Sequence, residues 1–195
     1  MEMNFKTLAL TQEQYYLIIK TIKEGFVTAD NQRIKSNIRI ATSLILQANL
    51  GLRIGDIVNL RLSDIVKDGG RYRLDIKEEK TGKARTFTVP VEIFSFLQTY
   101  ALDAGIKPNQ RLFEITTRAV QKHLQLTCQY LGLTGISTHS FRKFFAMSIY
   151  NDNGKDAVLV QTLLQHSSIS TTQKYLSVSS EVVEKALAGH IKLDV

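Results

Sequence analysis

The chain has 195 residues, 44% of them hydrophobic, with 25 Lys+Arg against 18 Asp+Glu, a net charge of +7 and a pI near 9.5. This length bounds it to one domain, or one with a small appendage, and the basic excess favours a polyanionic partner, nucleic acid before membrane. A lone Cys128 forbids an internal disulfide framework and reads as a core thiol; with no apolar run of membrane-span length and no signal-peptide pattern, the expectation is a cytoplasmic protein.

Residues 1–10 are a short lead-in. Thr11 with Gln14 three residues on is a capping box that opens a first helix, TQEQYYLIIKTIKEG, ended by Gly25. Tyr15, Leu17, Ile18 and Ile22 are its expected buried stripe. A polar loop, TADNQRIKS, leads to a second helix over about Asn37 to Asn49. It is apolar nearly all round and therefore central. Gly51 breaks it, and Arg53 follows just after that glycine turn and before a short helix.

From about Gly70 to Val89 the period becomes alternating, and RYRLDIKEE and ARTFTVP read as two strands joined by a turn at Lys80-Thr81-Gly82-Lys83. Pro90 closes the second strand. VEIFSFLQTYALDAG is an amphipathic helix with Ile93, Phe94, Leu97 and Ala101 on one face. Leu112-Phe113 packs beyond a loop at 107–110. A long helix then runs from about Thr117 to Tyr130, and its His123 reads as a surface or backbone-contacting residue. Gly132 ends it.

The stretch from Thr138 to Tyr175 carries most of the chemistry. A helix from Ser140 to about Tyr150 turns Phe141, Phe144, Phe145 and Ile149 inward. DAVLVQTLLQ is a short helix anchored by Leu159, Val160, Leu163 and Leu164, and Thr171 to Leu176 is another. His139 and Arg142 stand three apart and share a helical face; His166 ends the apolar run, and Tyr175 comes nine residues later. A cation, two imidazoles and a phenol suit phosphate chemistry. Arg142 can grip two phosphate oxygens with its planar fork, the histidines can donate hydrogen bonds or move protons, and Tyr175 is the candidate nucleophile.

His139-Ser140-Phe141-Arg142, then Leu164-Gln165-His166-Ser167-Ser168, then Tyr175 resemble the second half of the active site of the tyrosine recombinase (phage integrase) family. Gly51, Leu52, Arg53, Gly55, Asp56 and Ile57, followed by Leu60, Leu62, Asp64 and Ile65, are similar to its first half. Lys-Thr-Gly-Lys before Arg-x-x-x-Val-Pro is similar to the hairpin in which the family carries a catalytic lysine. The resemblance assigns that role to Lys80, with Lys83 as the substitute. One departure is Gln165, which stands where the family has glycine; it fits if the backbone there is not at positive φ.

The resemblance implies an α+β fold, mainly α with a small antiparallel β-sheet, spanning 1–195 as a single catalytic domain. The implied activity is site-specific DNA cleavage and rejoining through a 3′-phosphotyrosyl intermediate, leading to integration, excision or inversion. In it Arg53 and Arg142 bind the non-bridging oxygens and His139 accepts a proton or aids Arg142. His166 donates to the phosphate, Lys80 protonates the leaving 5′-hydroxyl, and Tyr175 attacks. Asp56 is an orienting partner for an active-site cation. No cofactor and no metal is implied.

The implied partner is double-stranded DNA, bound by a homo-tetramer on paired sites, with a monomer expected without DNA and no membrane association. A last helix over Glu181 to Ala188 docks on a neighbouring subunit, or in cis when DNA is absent. The N-terminal DNA-clamping (core-binding) domain of most members is expected to be absent, as in an excised catalytic domain or a short recombinase of the fimbrial-switch kind, of bacterial or phage origin. A catalytically idle DNA-binding regulator and a type IB-like topoisomerase stay open as alternatives. Each residue alone has a bland reading as core histidine, packed aromatic or solvated base. Six in the right order over residues 53 to 175 are hard to obtain by coincidence.

Overall fold

The computed structural model describes residues 7–77, 82, 84–166 and 168–176. Within them helices dominate. The first, α1 (Gln12–Glu24), starts at Thr11, whose hydroxyl accepts from Gln14 N–H at 3.1 Å while the Gln14 side chain accepts from Thr11 N–H at 3.0 Å. Such a reciprocal cap stabilises a helix start by about 1 kcal/mol. Gly25 closes α1 at φ 76. The stripe is shifted from the expected one: Ile19 is buried with Ile18 and Ile22, while Leu17 is 45% exposed.

The polar stretch after α1 holds a small hairpin, β1 (Phe26–Val27) with β2 (Arg33–Ile34), in place of the expected loop. Helix α2 (Ile38–Leu50) follows, capped by Asn37 and closed by Gly51 in the left-handed region. Its buried set includes Ile40, Leu44, Leu46 and Leu50, together with polar Thr42, Ser43 and Gln47, so it is the central helix that its composition predicts. A short α3 (Ile54–Asn59) and a 3-10 turn at Leu62–Asp64 lead into the sheet.

That sheet has three antiparallel strands in the order β3 (Ile65–Asp68), β4 (Arg71–Lys77) and β5 (Ala84–Val89), one more than the hairpin read from sequence. Ile65 pairs with Leu74 and Asp68 with Arg71; on the other side Tyr72 pairs with Val89 and Lys77 with Ala84. On its exposed face Arg73 bridges Asp68 and Asp75, which lowers the Asp75 pKa. Tyr72 stacks on Phe94 with centroids 3.9 Å apart, fixing the sheet to α4 (Val91–Asp103).

Helix α5 (Thr117–Tyr130) has the predicted bounds. Cys128 is buried and its thiol is pushed up to about 11, as a core residue should be. His123 differs in part from expectation. The residue is half-buried, its Nε2 is buried with no hydrogen-bond partner among the described residues, and burial lowers its pKa, so that nitrogen faces the protein interior.

Helix α6 (Thr138–Asp152) begins two residues earlier than predicted, so His139 lies inside its first turn. It stacks Phe144 on Tyr15 of α1 at 5.0 Å and buries Phe141 in the main core. A second, smaller cluster of Ala146, Val160, Leu164 and Leu176 joins α6 to α7 (Ala157–Leu164) and α8 (Ile169–Tyr175). The turn at Lys80-Thr81 and Lys83, and the expected last helix at Glu181 to Ala188, lie outside the described residues.

Candidate active site

The site forms where helices end. Gly51 N–H donates to Gln47 O at 3.0 Å, and Gln47 Nε2 donates to Leu52 O at 3.2 Å from a side chain only 1% exposed. The turn between α2 and α3 is thus held from inside the core. Arg53 leaves that turn in extended conformation, φ −72 and ψ 148, as the N-cap of α3, and is half-buried. Asp56 follows in the first turn of α3 and is buried, at a helix end whose amide dipoles favour a carboxylate.

Gly51 allows this arrangement twice over. Its φ of 61 lies in the left-handed region, and a Cβ there would stand 2.4 Å from Phe145 Cδ1. Its carbonyl accepts from Nη1 of Arg142, and Arg142 Nη2 donates to Leu164 O at 3.0 Å. Both acceptors sit at helix C-termini, of α2 and α7, where carbonyls lack an intrahelical donor and the helix dipole is negative. A guanidinium only 1% exposed is therefore locked between two helix ends. The sequence suggests a fork that can grip two phosphate oxygens, and at least three of its five N–H groups already face protein atoms: Gly51 O, Leu164 O and His166 Nε2.

His166 lies 3.3 Å from Arg142 through Nε2, and its Nδ1 is 3.0 Å from Thr172 Oγ1. Its backbone is clamped on both sides, since its N–H donates to Gln161 O at 3.1 Å and its carbonyl accepts from Gln161 Nε2 at 3.2 Å. The aim of this residue depends on Gln165, whose φ of 49 and ψ of 45 are left-handed. The condition under which glutamine replaces glycine without strain is not met. This position costs an L-residue about 1–2 kcal/mol, and the two flanking clamps hold it there.

His139 is exposed, one turn before the buried Arg142 on α6, so it stands at the solvent side of that helix end. Ser137 caps the helix and accepts from His139 N–H at 3.2 Å. Tyr175 is the last residue of α8, which Ser168 caps and Thr172 ties to His166. Lys80 is outside the described residues. The strand end nearest to it, Lys77, lines a cavity of about 230 Å³ together with Asp56, so β4 runs toward the helix that starts at Arg53. A larger cavity, about 790 Å³, opens beside Ser36 and Arg39 at the opposite end of α2, about 20 Å from Gly51 for a helix of this length.

The structure thus joins Arg142 and His166 directly and brings the Arg53 turn to them through Gly51. Sequence reading missed Thr172, Gln47 and the two carbonyls. A threonine six residues after His166 and three before Tyr175 was visible, but nothing in a pattern says that its hydroxyl crosses to the histidine.

Known proteins carry the same architecture. The phage integrase family matches residues 9–181. The tyrosine recombinase XerC of Leptospira interrogans is 33% identical over 166 residues, covering 80% of this chain and 52% of that protein. The probable integrase/recombinase YoeC of Bacillus subtilis is 30% identical over 149 residues, covering 73% of this chain and 79% of that one. Among solved structures, the XerH site-specific recombinase in its post-cleavage complex with palindromic difH superposes with a TM-score of 0.70 at 22% identity, over 95% of this chain and 54% of that one. The catalytic domain of bacteriophage HP1 integrase does so at 0.63 and 20%, over 94% and 95%. The chain spans about half the length of the XerC protein it matches. With a family match over most of its length and a relative such as YoeC, 30% identical and covered over 79% of its length, the chain belongs to the phage integrase family.

Proposed function

We propose that this chain is the catalytic domain of a site-specific recombinase that cuts and rejoins double-stranded DNA. The phenol of Tyr175 attacks a phosphodiester and displaces a 5′-hydroxyl, leaving a 3′-phosphotyrosyl link. The link keeps the energy of the broken bond, so the 5′-hydroxyl of a second strand can reverse the step.

The observation that carries this reading is the Arg142–His166 pair, with nitrogens 3.3 Å apart at the meeting point of three helix ends, beside the helix that ends in Tyr175. A phosphoryl transition state needs preorganised positive charge and donors, and these are fixed before substrate arrives. Arg53 adds a second cation from the Gly51 turn. His139, at the exposed start of α6, is the group that takes up the phenol proton or supports Arg142. Lys80 supplies the proton that the leaving 5′-oxygen requires. The net charge of +7 supports DNA as partner. So does the fact that the structural neighbours XerH and lambda integrase were solved on DNA. On paired sites we infer a tetramer, with a monomer in the absence of DNA.

The test is covalent trapping. The protein is incubated with a library of nicked duplexes bearing a randomised core, and detergent-resistant adducts are recovered and sequenced. Wild type should yield adducts on a defined sequence, and Tyr175→Phe should yield none while binding those duplexes with nearly unchanged affinity. Adducts that persist in the Phe variant would overturn the assignment. Relaxation of supercoils that lack any recovered site would favour a topoisomerase.

A further inference from the structure

The hydroxyl of Thr172 has one hydrogen-bond partner among the described residues, Nδ1 of His166 at 3.0 Å. Three other helical threonines behave differently: Thr21, Thr127 and Thr162 each donate back to the carbonyl four residues earlier, at 2.8–2.9 Å. Thr172 is fully buried, so its hydroxyl has no water to turn to. The ring it meets is fixed at its other nitrogen as well. An arginine N–H can only donate, so Nε2 of His166 accepts from Arg142 and carries no hydrogen. A neutral imidazole then keeps its one proton at Nδ1, and that N–H donates to Thr172.

This form is the wrong one for the role of His166 in the proposed reaction, because a donor to phosphate needs its hydrogen at Nε2. We propose that Thr172 is a positioning residue that holds His166 in both states and lets the ring change between them; this rests on the recombinase reading above. The ring takes up one solvent proton at Nε2, and as imidazolium it still donates Nδ1–H to Thr172. If the half-buried ring then loses its Nδ1 proton to solvent during an opening of that contact, the hydroxyl rotates and, on closing, donates its own hydrogen to Nδ1. A hydroxyl can accept and donate in turn, so the ring turns its Nε2 from acceptor for Arg142 to donor for a phosphate oxygen without losing its anchor. A carbonyl or carboxylate partner could not give a hydrogen to a deprotonated Nδ1. Tyr175 stands three residues after Thr172 on α8, so the same contact fixes the nucleophile's helix to the ring.

Two substitutions separate the hydroxyl from the shape of the side chain. Thr172→Val keeps the shape and removes the hydroxyl, and Thr172→Ser keeps the hydroxyl. The chain has four histidines, so nitrogen-15 spectra of the DNA-free protein resolve His166 by comparison with His166→Gln. Wild type and Thr172→Ser should show Nε2 bare and Nδ1 protonated with its N–H slow to exchange with solvent, whereas in Thr172→Val, where Arg142 still sets the tautomer, the Nδ1–H should exchange fast. On the nicked duplexes recovered by trapping, Thr172→Val should form adduct about tenfold or more slowly, less than the roughly hundredfold or more that outright loss of a proton donor costs, with Thr172→Ser within about threefold of wild type. Unchanged Nδ1–H exchange in Thr172→Val, or a serine variant as slow as the valine one, would overturn the proposal. If wild type forms no adduct on any duplex, the recombinase reading fails, and the exchange rates still decide whether Thr172 holds the ring.

Discussion

Replacing Gly51 by alanine tests the claim that one glycine carries the site. At φ 61 an added side chain meets the left-handed penalty, about 1–2 kcal/mol for an L-residue. Its Cβ would also lie 2.4 and 2.6 Å from Phe145 Cδ1 and Cε1 and 3.1 Å from Leu164 Cδ2. Phe145 and Leu164 belong to the small cluster that holds α6 to α7, so relieving the clash means repacking it, for about 1–3 kcal/mol. Alanine's smaller unfolded-state freedom returns a few tenths to 1 kcal/mol. The net loss is about 2–4 kcal/mol, which for a chain of this size lowers Tm by about 5–15 °C. The assay is thermal unfolding of Gly51→Ala, Phe145→Leu and the double variant. Leucine vacates the ring edge, so the pair should show a coupling above about 0.5 kcal/mol. Adduct formation should fall further than the lost stability explains, because the Gly51 carbonyl holds Arg142. Additive single effects, or a Tm within about 2 °C of wild type, would refute the steric argument.

Gln165→Gly should act in the opposite direction. Relief of its left-handed backbone exceeds the added unfolded-state entropy by about 0.5–1 kcal/mol, raising Tm by about 1–4 °C; a lower Tm would show that the glutamine side chain itself is needed. His123 is held below its ordinary pKa by burial, so as pH falls past about 6.5 the unfolded chain takes up a proton that the folded chain refuses, and stability drops. His123→Leu should flatten urea midpoints between pH 7 and 5, and an identical slope in both proteins would remove His123 as the cause. Lys80→Ala should slow adduct formation by about a hundredfold or more and recover on a substrate with a 5′-bridging sulfur, which needs no proton. Sulfur rescue of Lys83→Ala alone would move the role to Lys83.

Local chemistry was legible in the sequence wherever neighbours in the chain settle it. The Thr11–Gln14 box, the Gly25 and Gly51 stops and the bounds of α5 follow from residues a few positions apart. Strand β3 did not follow from periodicity, since only Ile65 is buried and the next three residues are exposed. The signal overlooked was Gly69-Gly70, both at positive φ, which turn β3 tightly into β4. The β1–β2 hairpin has strands of two residues, too short for any alternation to register. Leu17 and Ile19 exchanged places because stripe and face differ by one position, and which face meets α2 is a tertiary fact. For the candidate site, motif spacing singled out Arg53, His139, Arg142, His166 and Tyr175, and of these the structure joins Arg142 and His166 directly. Two of the partners of Arg142 are backbone carbonyls 91 and 22 residues away, and no side-chain pattern encodes those.

Those carbonyls bear on why the site is built from helix ends. A buried guanidinium must be hydrogen-bonded, yet a partner that neutralised it would weaken its hold on an incoming phosphate. The bonds to Gly51 O and Leu164 O satisfy donors and fix the plane of the fork without cancelling its charge. Each carbonyl is also an acceptor that its own helix leaves over. The same bonds that stabilise α2 and α7 at their ends therefore orient the Arg142 guanidinium, and loosening either helix end should cost affinity for phosphate before it costs the fold. His166 extends the arrangement, because its ring joins Arg142 on one nitrogen and α8 on the other. A shift of α8 would in this way reach the guanidinium through a single imidazole, the coupling that the proposed recombinase reaction would use to bring Tyr175 and Arg142 into place together.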